Sequence, residues 1–74
     1  MKAQIELSAD NKAYVQINHD GERLSFIETT HDAADALRDQ VRAEIEAVTV
    51  PVGEPNAAAR RREIANGVAA KFRG

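Results

Sequence analysis

The chain opens on alternation. Over residues 2–8, Ala3, Ile5 and Leu7 fall on one side, and Lys2, Gln4, Glu6 and Ser8 on the other. A period of two belongs to a strand with one buried face. Ala9-Asp10-Asn11-Lys12 follows, rich in side chains that hydrogen-bond their own backbone in turns. Alternation resumes over residues 13–18, with Ala13, Val15 and Ile17 against Tyr14, Gln16 and Asn18, and the two runs predict a hairpin. Asn18-His19-Asp20-Gly21 is the clearest turn, because Gly21 tolerates positive φ and Asp-Gly suits a tight hairpin. Residues 22–27 predict a third strand, with Leu24 and Phe26 facing the core and Arg23, Ser25 and Ile27 facing solvent.

The period then changes. Ala34, Leu37, Val41, Ile45 and Val48 recur at steps of three and four, the stripe of an amphipathic helix over residues 30–48. Thr29 or Thr30 can cap it, and Asp32 sets a negative charge where the helix dipole favours one. Residues 49–55 carry Pro51 and Pro55 and read as an extended connector, with Val50 and Val52 available to pack on the body or form a short edge strand. Asn56 can cap a second helix over residues 57–72, whose stripe of Ile64, Val68 and Phe72, with Ala57 and Ala65 nearby, is thinner. Gly67 weakens this helix further, so it must dock on something to be stable. The pattern predicts a single α+β domain over residues 1–74, ordered βββαα. A three-stranded antiparallel β-meander (1–28) precedes the long amphipathic helix (30–48), the connector (49–55) and a basic C-terminal helix (56–73).

Composition adjusts this picture in a few places. The hydrophobic fraction of 43% leans on alanine, which supplies 14 residues, while Ile, Leu, Val and Phe together supply 16. A chain this short buries only about 60% of its unfolded surface, and a second copy is one way to bury more. Ile27, Val50, Val52 and Phe72 have no evident place in a core of one sheet and one helix. Either the second helix reaches back over its own sheet or it crosses to a twin subunit; the unplaced apolar surface favours a homodimer. With no cysteine, disulfides, thiolate metal sites and thiol nucleophiles are excluded. No apolar run reaches the length of a signal peptide or a membrane span, which points to a cytoplasmic protein with no membrane partner. The abundance of Ala and Arg points to a bacterial or phage genome.

Net charge is −2 but unevenly spread: residues 1–55 carry five Lys or Arg and eleven Asp or Glu, whereas residues 56–74 carry five and one. The basic cluster Arg60, Arg61, Arg62, Lys71 and Arg73 is the feature that invites a functional reading. Arginine anchors carboxylates and phosphates through its planar, bidentate fork. The cluster can meet a protein partner together with the sheet residues Tyr14, Gln16 and Arg23, bind nucleic acid, or neutralise Asp35, Asp39 or Glu46 within a dimer. A single Tyr beside mixed charge makes a poor base-stacking surface. His19 and His31 lie apart, without the ligand spacing of a metal site. The helix carboxylates have arginines at pairing distance, and Ser8 and Ser25 have no neighbouring base. No catalytic residue, cofactor site or metal site is predicted. The expected function is that of a small non-enzymatic protein-interaction module, a regulator or inhibitor binding a larger partner, with nucleic-acid binding through the basic helix as the alternative.

Overall fold

A computed structural model describes residues 1–48, 50 and 53–73. Strands β1 (Lys2–Leu7), β2 (Lys12–His19) and β3 (Glu22–Thr30) form one antiparallel sheet in the order β1-β2-β3. Helices α1 (His31–Glu46) and α2 (Ala57–Phe72) follow, so the α+β, βββαα arrangement is the one the sequence predicts. Both hairpin turns place their two central residues at positive φ: Asp10 and Asn11 in the first, Asp20 and Gly21 in the second. That geometry matches the right-handed twist of paired strands, and Asn, Asp and Gly tolerate it best.

Both helices lie on one face of the sheet, α1 over β1 and β2 and α2 against β3. Ala3, Val15, Ile17 and Ile27 form the floor of the core, with Val41 and Ile45 from α1 and Ala65 and Ala69 from α2 above them. Thr30 caps α1, its hydroxyl accepting the Ala33 amide at 3.3 Å. α2 starts without a side-chain cap; the Asn56 carbonyl accepts the Arg60 amide at 2.9 Å. The buried line of α2 runs through Ala65 and Ala69, while Ile64, Val68 and Phe72 are half-buried beside it. Small residues let the helix backbone approach β3 closely, so this helix docks through alanine.

The predicted facing of β3 holds for Arg23 and Leu24 and reverses from Ser25 onward. Ser25 and Ile27 are buried, and Phe26 is 39% exposed on the open face. The cause is a β-bulge. His19 pairs with Glu22 and Asn18 with Arg23, but Ile17 pairs with Ser25 and Val15 with Ile27, so Leu24 is the extra residue. A slip of one residue moves every following side chain to the other face. The strand continues to Thr30, and unbroken alternation from an inward Phe26 would carry Glu28 into the apolar face as well. With the bulge, Glu28 is exposed and lies 3.9 Å from Lys12, while Leu24 still packs on the edge of the core. Keeping a carboxylate out of an apolar core outweighs hiding one aromatic ring.

Ile27 and Phe72 therefore belong to the core of a single chain, and α2 reaches back over its own sheet. Val50 is half-buried; the expected packing of Val52 and a strand in the connector fall on Thr49, Pro51 and Val52, outside the described residues. Among the described residues no helix is long and apolar enough to cross a membrane.

Candidate functional site

The helices cover one face of the sheet and leave the other open. The open face carries Gln4 and Glu6 from β1, Tyr14, Gln16 and Asn18 from β2, and Arg23, Phe26 and Glu28 from β3, as the register dictates. Its centre is Phe26. The ring of Tyr14 meets it edge-on, with centroids 5.9 Å apart and planes at 72°. The Arg23 guanidinium sits 5.0 Å from the Phe26 ring centre, and that of Arg73 lies 5.6 Å from it. These are the distances at which a cation is drawn to the electron-rich face of a ring. Arg73 follows directly on α2 and also donates to the Phe26 main-chain carbonyl, so the last turn of the helix is tied to the edge of the sheet.

Around this cluster the polar residues hold one another. Gln16 donates its side-chain amide to Glu6. Asn18 donates to Gln4 at 2.6 Å and, more weakly, to Gln16 at 3.4 Å. Long side chains fixed in this way have already lost part of the rotamer freedom that binding would otherwise cost. Tyr14, Gln16, Arg23 and Arg73, all predicted partner contacts, thus come together on one surface. Phe26 is the member that the sequence reading missed, because that reading placed it in the core. The signal that could have found it is Glu28, whose charge demands a change of face.

The remaining basic residues disperse. Arg60 lies 3.6 Å from Glu54, Arg62 is 2.6 Å from Glu22 at the second hairpin, and Lys71 pairs with Glu44 of α1. The sequence had offered Asp35, Asp39 and Glu46 as partners for the cluster. Instead Asp35 and Asp39 are taken within α1, by Arg38 at 3.7 and 3.4 Å, with Arg42 3.9 Å from Asp39. Arg61 is half-buried and makes no ion pair with a described carboxylate. It lines a hollow with Met1, His19, Asp20, Val48 and Ala57.

No protein family, curated protein or solved structure matches this chain.

The two histidines are far apart in role. His19 lies 3.3 Å from Asp20 in the second turn. His31 points its Nε2 at two carbonyls, Ser8 O at 3.0 Å and Lys12 O at 2.9 Å. Carbonyls only accept, so Nε2 carries the proton and clips the first hairpin loop to the start of α1. Among the described residues no group of three or more His, Cys, Asp or Glu side chains is placed to hold a metal ion.

Proposed function

We propose that this protein is a small non-enzymatic interaction module of the cytoplasm, a regulator or inhibitor that acts by covering a surface of a larger protein partner, and that it works as a homodimer. The observation that carries the reading is the exposed Phe26 ring, held edge-on by Tyr14 and flanked by Arg23 and Arg73. Aromatic and arginine side chains dominate the energetic centres of protein interfaces, where a few residues carry most of the affinity. Gln4, Gln16 and Asn18 supply the hydrogen-bonding rim around it. The engagement of Arg60, Arg62 and Lys71 with the chain's own carboxylates favours the sheet face over α2 as the contact surface.

The test is capture from a lysate of the source cells, comparing the parent protein with Phe26→Ala and Arg23→Ala. A protein recovered by the parent and bound about 30-fold more weakly by Phe26→Ala supports the reading, since truncating an anchor residue costs roughly 2 kcal/mol or more. A partner held equally well by both variants removes the sheet face from the proposal. Phe26 is exposed enough for the variant to stay folded, which circular dichroism checks.

A second reading keeps nucleic acid, moved from α2 to the sheet. Tyr14 and Phe26 are two rings on adjacent strands flanked by guanidinium groups, an arrangement on which single-stranded bases stack. Glu6 and Glu28 on the same face count against it. Titration with a single-stranded oligonucleotide at two salt concentrations separates the two: phosphate-driven binding falls steeply with salt, and an absence of binding at low salt eliminates this reading.

A further inference from the structure

The sheet has two edges, and the fold treats them differently. At β3 the bulge interrupts the ladder, α2 packs alongside, and Arg73 occupies the Phe26 carbonyl. β1 is paired on one side only, and among the described residues no other group bonds its backbone from outside. It contains no proline and no bulge, two of the devices that stop an edge from pairing, and its charges, Lys2 and Glu6, are of opposite sign. Open hollows run beside it, lined by Gln4, Ile5 and Glu6 with Arg38 and Arg42 of α1.

The sequence of this bare edge is complementary to itself when reversed. We propose that β1 pairs antiparallel with β1 of a second copy about a two-fold axis at Gln4, making one six-stranded sheet. In that register Lys2 faces Glu6 of the second copy, and Glu6 faces its Lys2. Ala3 and Ile5 face Ile5 and Ala3 on the helix side, and Leu7 meets Met1. Every residue opposes one on its own face of the sheet, as pairing requires. Opposite charges set directly across from each other stabilise a strand pair, and like charges destabilise it. Leu7 is 63% exposed and the most exposed large apolar side chain among the described residues. The register gives it an apolar neighbour. Registers centred one residue away, at Ala3 or Ile5, bring neither the charged pair nor the Leu7–Met1 pair together. Above the edge, Arg38 and Arg42 both hold Asp39, so α1 presents mixed charge and no run of one sign to its twin. Both Phe26 clusters end on the same open face of the joined sheet.

This proposal rests on the homodimer reading and names its surface, which shares Gln4 with the rim of the partner-binding face but not Phe26, Tyr14, Arg23 or Arg73. Analytical ultracentrifugation of the parent, Gln4→Lys and Gln4→Glu across protein concentration tests it. The parent is expected to dimerise. Each variant sets two like charges face to face on the axis and should dimerise about tenfold more weakly or worse. An equimolar mixture of the two variants should recover the dimer as a heterodimer, read by native mass spectrometry. A parent dimer whose dissociation constant neither variant changes overturns the β1 surface while leaving a homodimer standing. A parent monomeric at every concentration removes the homodimer and this interface together. Gln4 is exposed, so the variants should keep the parent's circular dichroism spectrum, while a weaker dimer lowers the melting midpoint only as far as mass action dictates. If either fails to fold, Lys2→Glu tests the same register, weakening the dimer alone and restoring it when combined with Glu6→Lys; failure to restore overturns the register.

Discussion

Two residues outside the proposed binding face show how much local geometry rests on single side chains. Gly21 sits at φ +81 with open space around it, so the cost of any substitution there is conformational and not steric. Gly21→Ala should destabilise the fold by about 1–2 kcal/mol, the cost of left-handed backbone for a residue with a Cβ, measured as a shift in urea midpoint. The turn was legible because Asp-Gly between alternating runs is a local code. His31 was not legible in the same way: it reads as a polar residue at a helix start, and only folding brings the Ser8 and Lys12 carbonyls to its Nε2. His31→Ala should lower stability by about 1 kcal/mol, the usual worth of a hydrogen bond lost at a partly exposed site, with no effect on partner binding through the sheet. An unchanged midpoint would show that the loop stays in place without the clip.

Among the elements, α1 and α2 contrast. The α1 stripe read directly from spacing: Ala34, Val41 and Ile45 are buried and Leu37 packs beside them. Only Val48, past the helix end and 37% exposed, falls outside it. In α2 the large residues recur at steps of four, yet the buried line passes through Ala65 and Ala69. Alanine carries little pattern signal, and its burial depends on how close the helix is drawn to β3. Ala65→Leu should therefore overpack the α2–β3 contact and destabilise the protein by roughly 1–3 kcal/mol, whereas Ala59→Leu on the exposed side of the same helix should leave the melting midpoint nearly unchanged. β3 shows the other limit of pattern reading. Its first residues alternate plausibly in either facing, and the choice rests on Glu28, beyond the apolar run that defines the strand in sequence.

For the whole molecule, the acidic body and the basic C-terminal stretch turn out to face one another. Arg62 reaches Glu22 and Lys71 reaches Glu44, so the charge asymmetry along the chain becomes contact across the fold. Exposed pairs of this kind contribute about 0–1 kcal/mol each. Hence α2 is held mainly by its apolar contacts and only secondarily by charge. Removing it should be far more damaging than neutralising it. A chain truncated after Gly53 would uncover Ile27, now 2% exposed, and should lose its cooperative thermal transition. A truncated chain that keeps a sharp transition would mean that the meander and α1 suffice as a core.

The kinds of element, their order and their turns were determined by the sequence alone. These depend on period and on the φ preferences of Gly, Asn and Asp, which act within a few residues. Which way β3 faces, which carboxylate each arginine meets, and that Phe26 lies on the surface beside Tyr14, Arg23 and Arg73 were decided only by the tertiary structure. A one-residue bulge reverses a face without altering composition or strand length, and the partners of Arg62 and Lys71 lie 40 and 27 residues away along the chain. Such pairings form only once apolar packing has brought α2 back over the sheet.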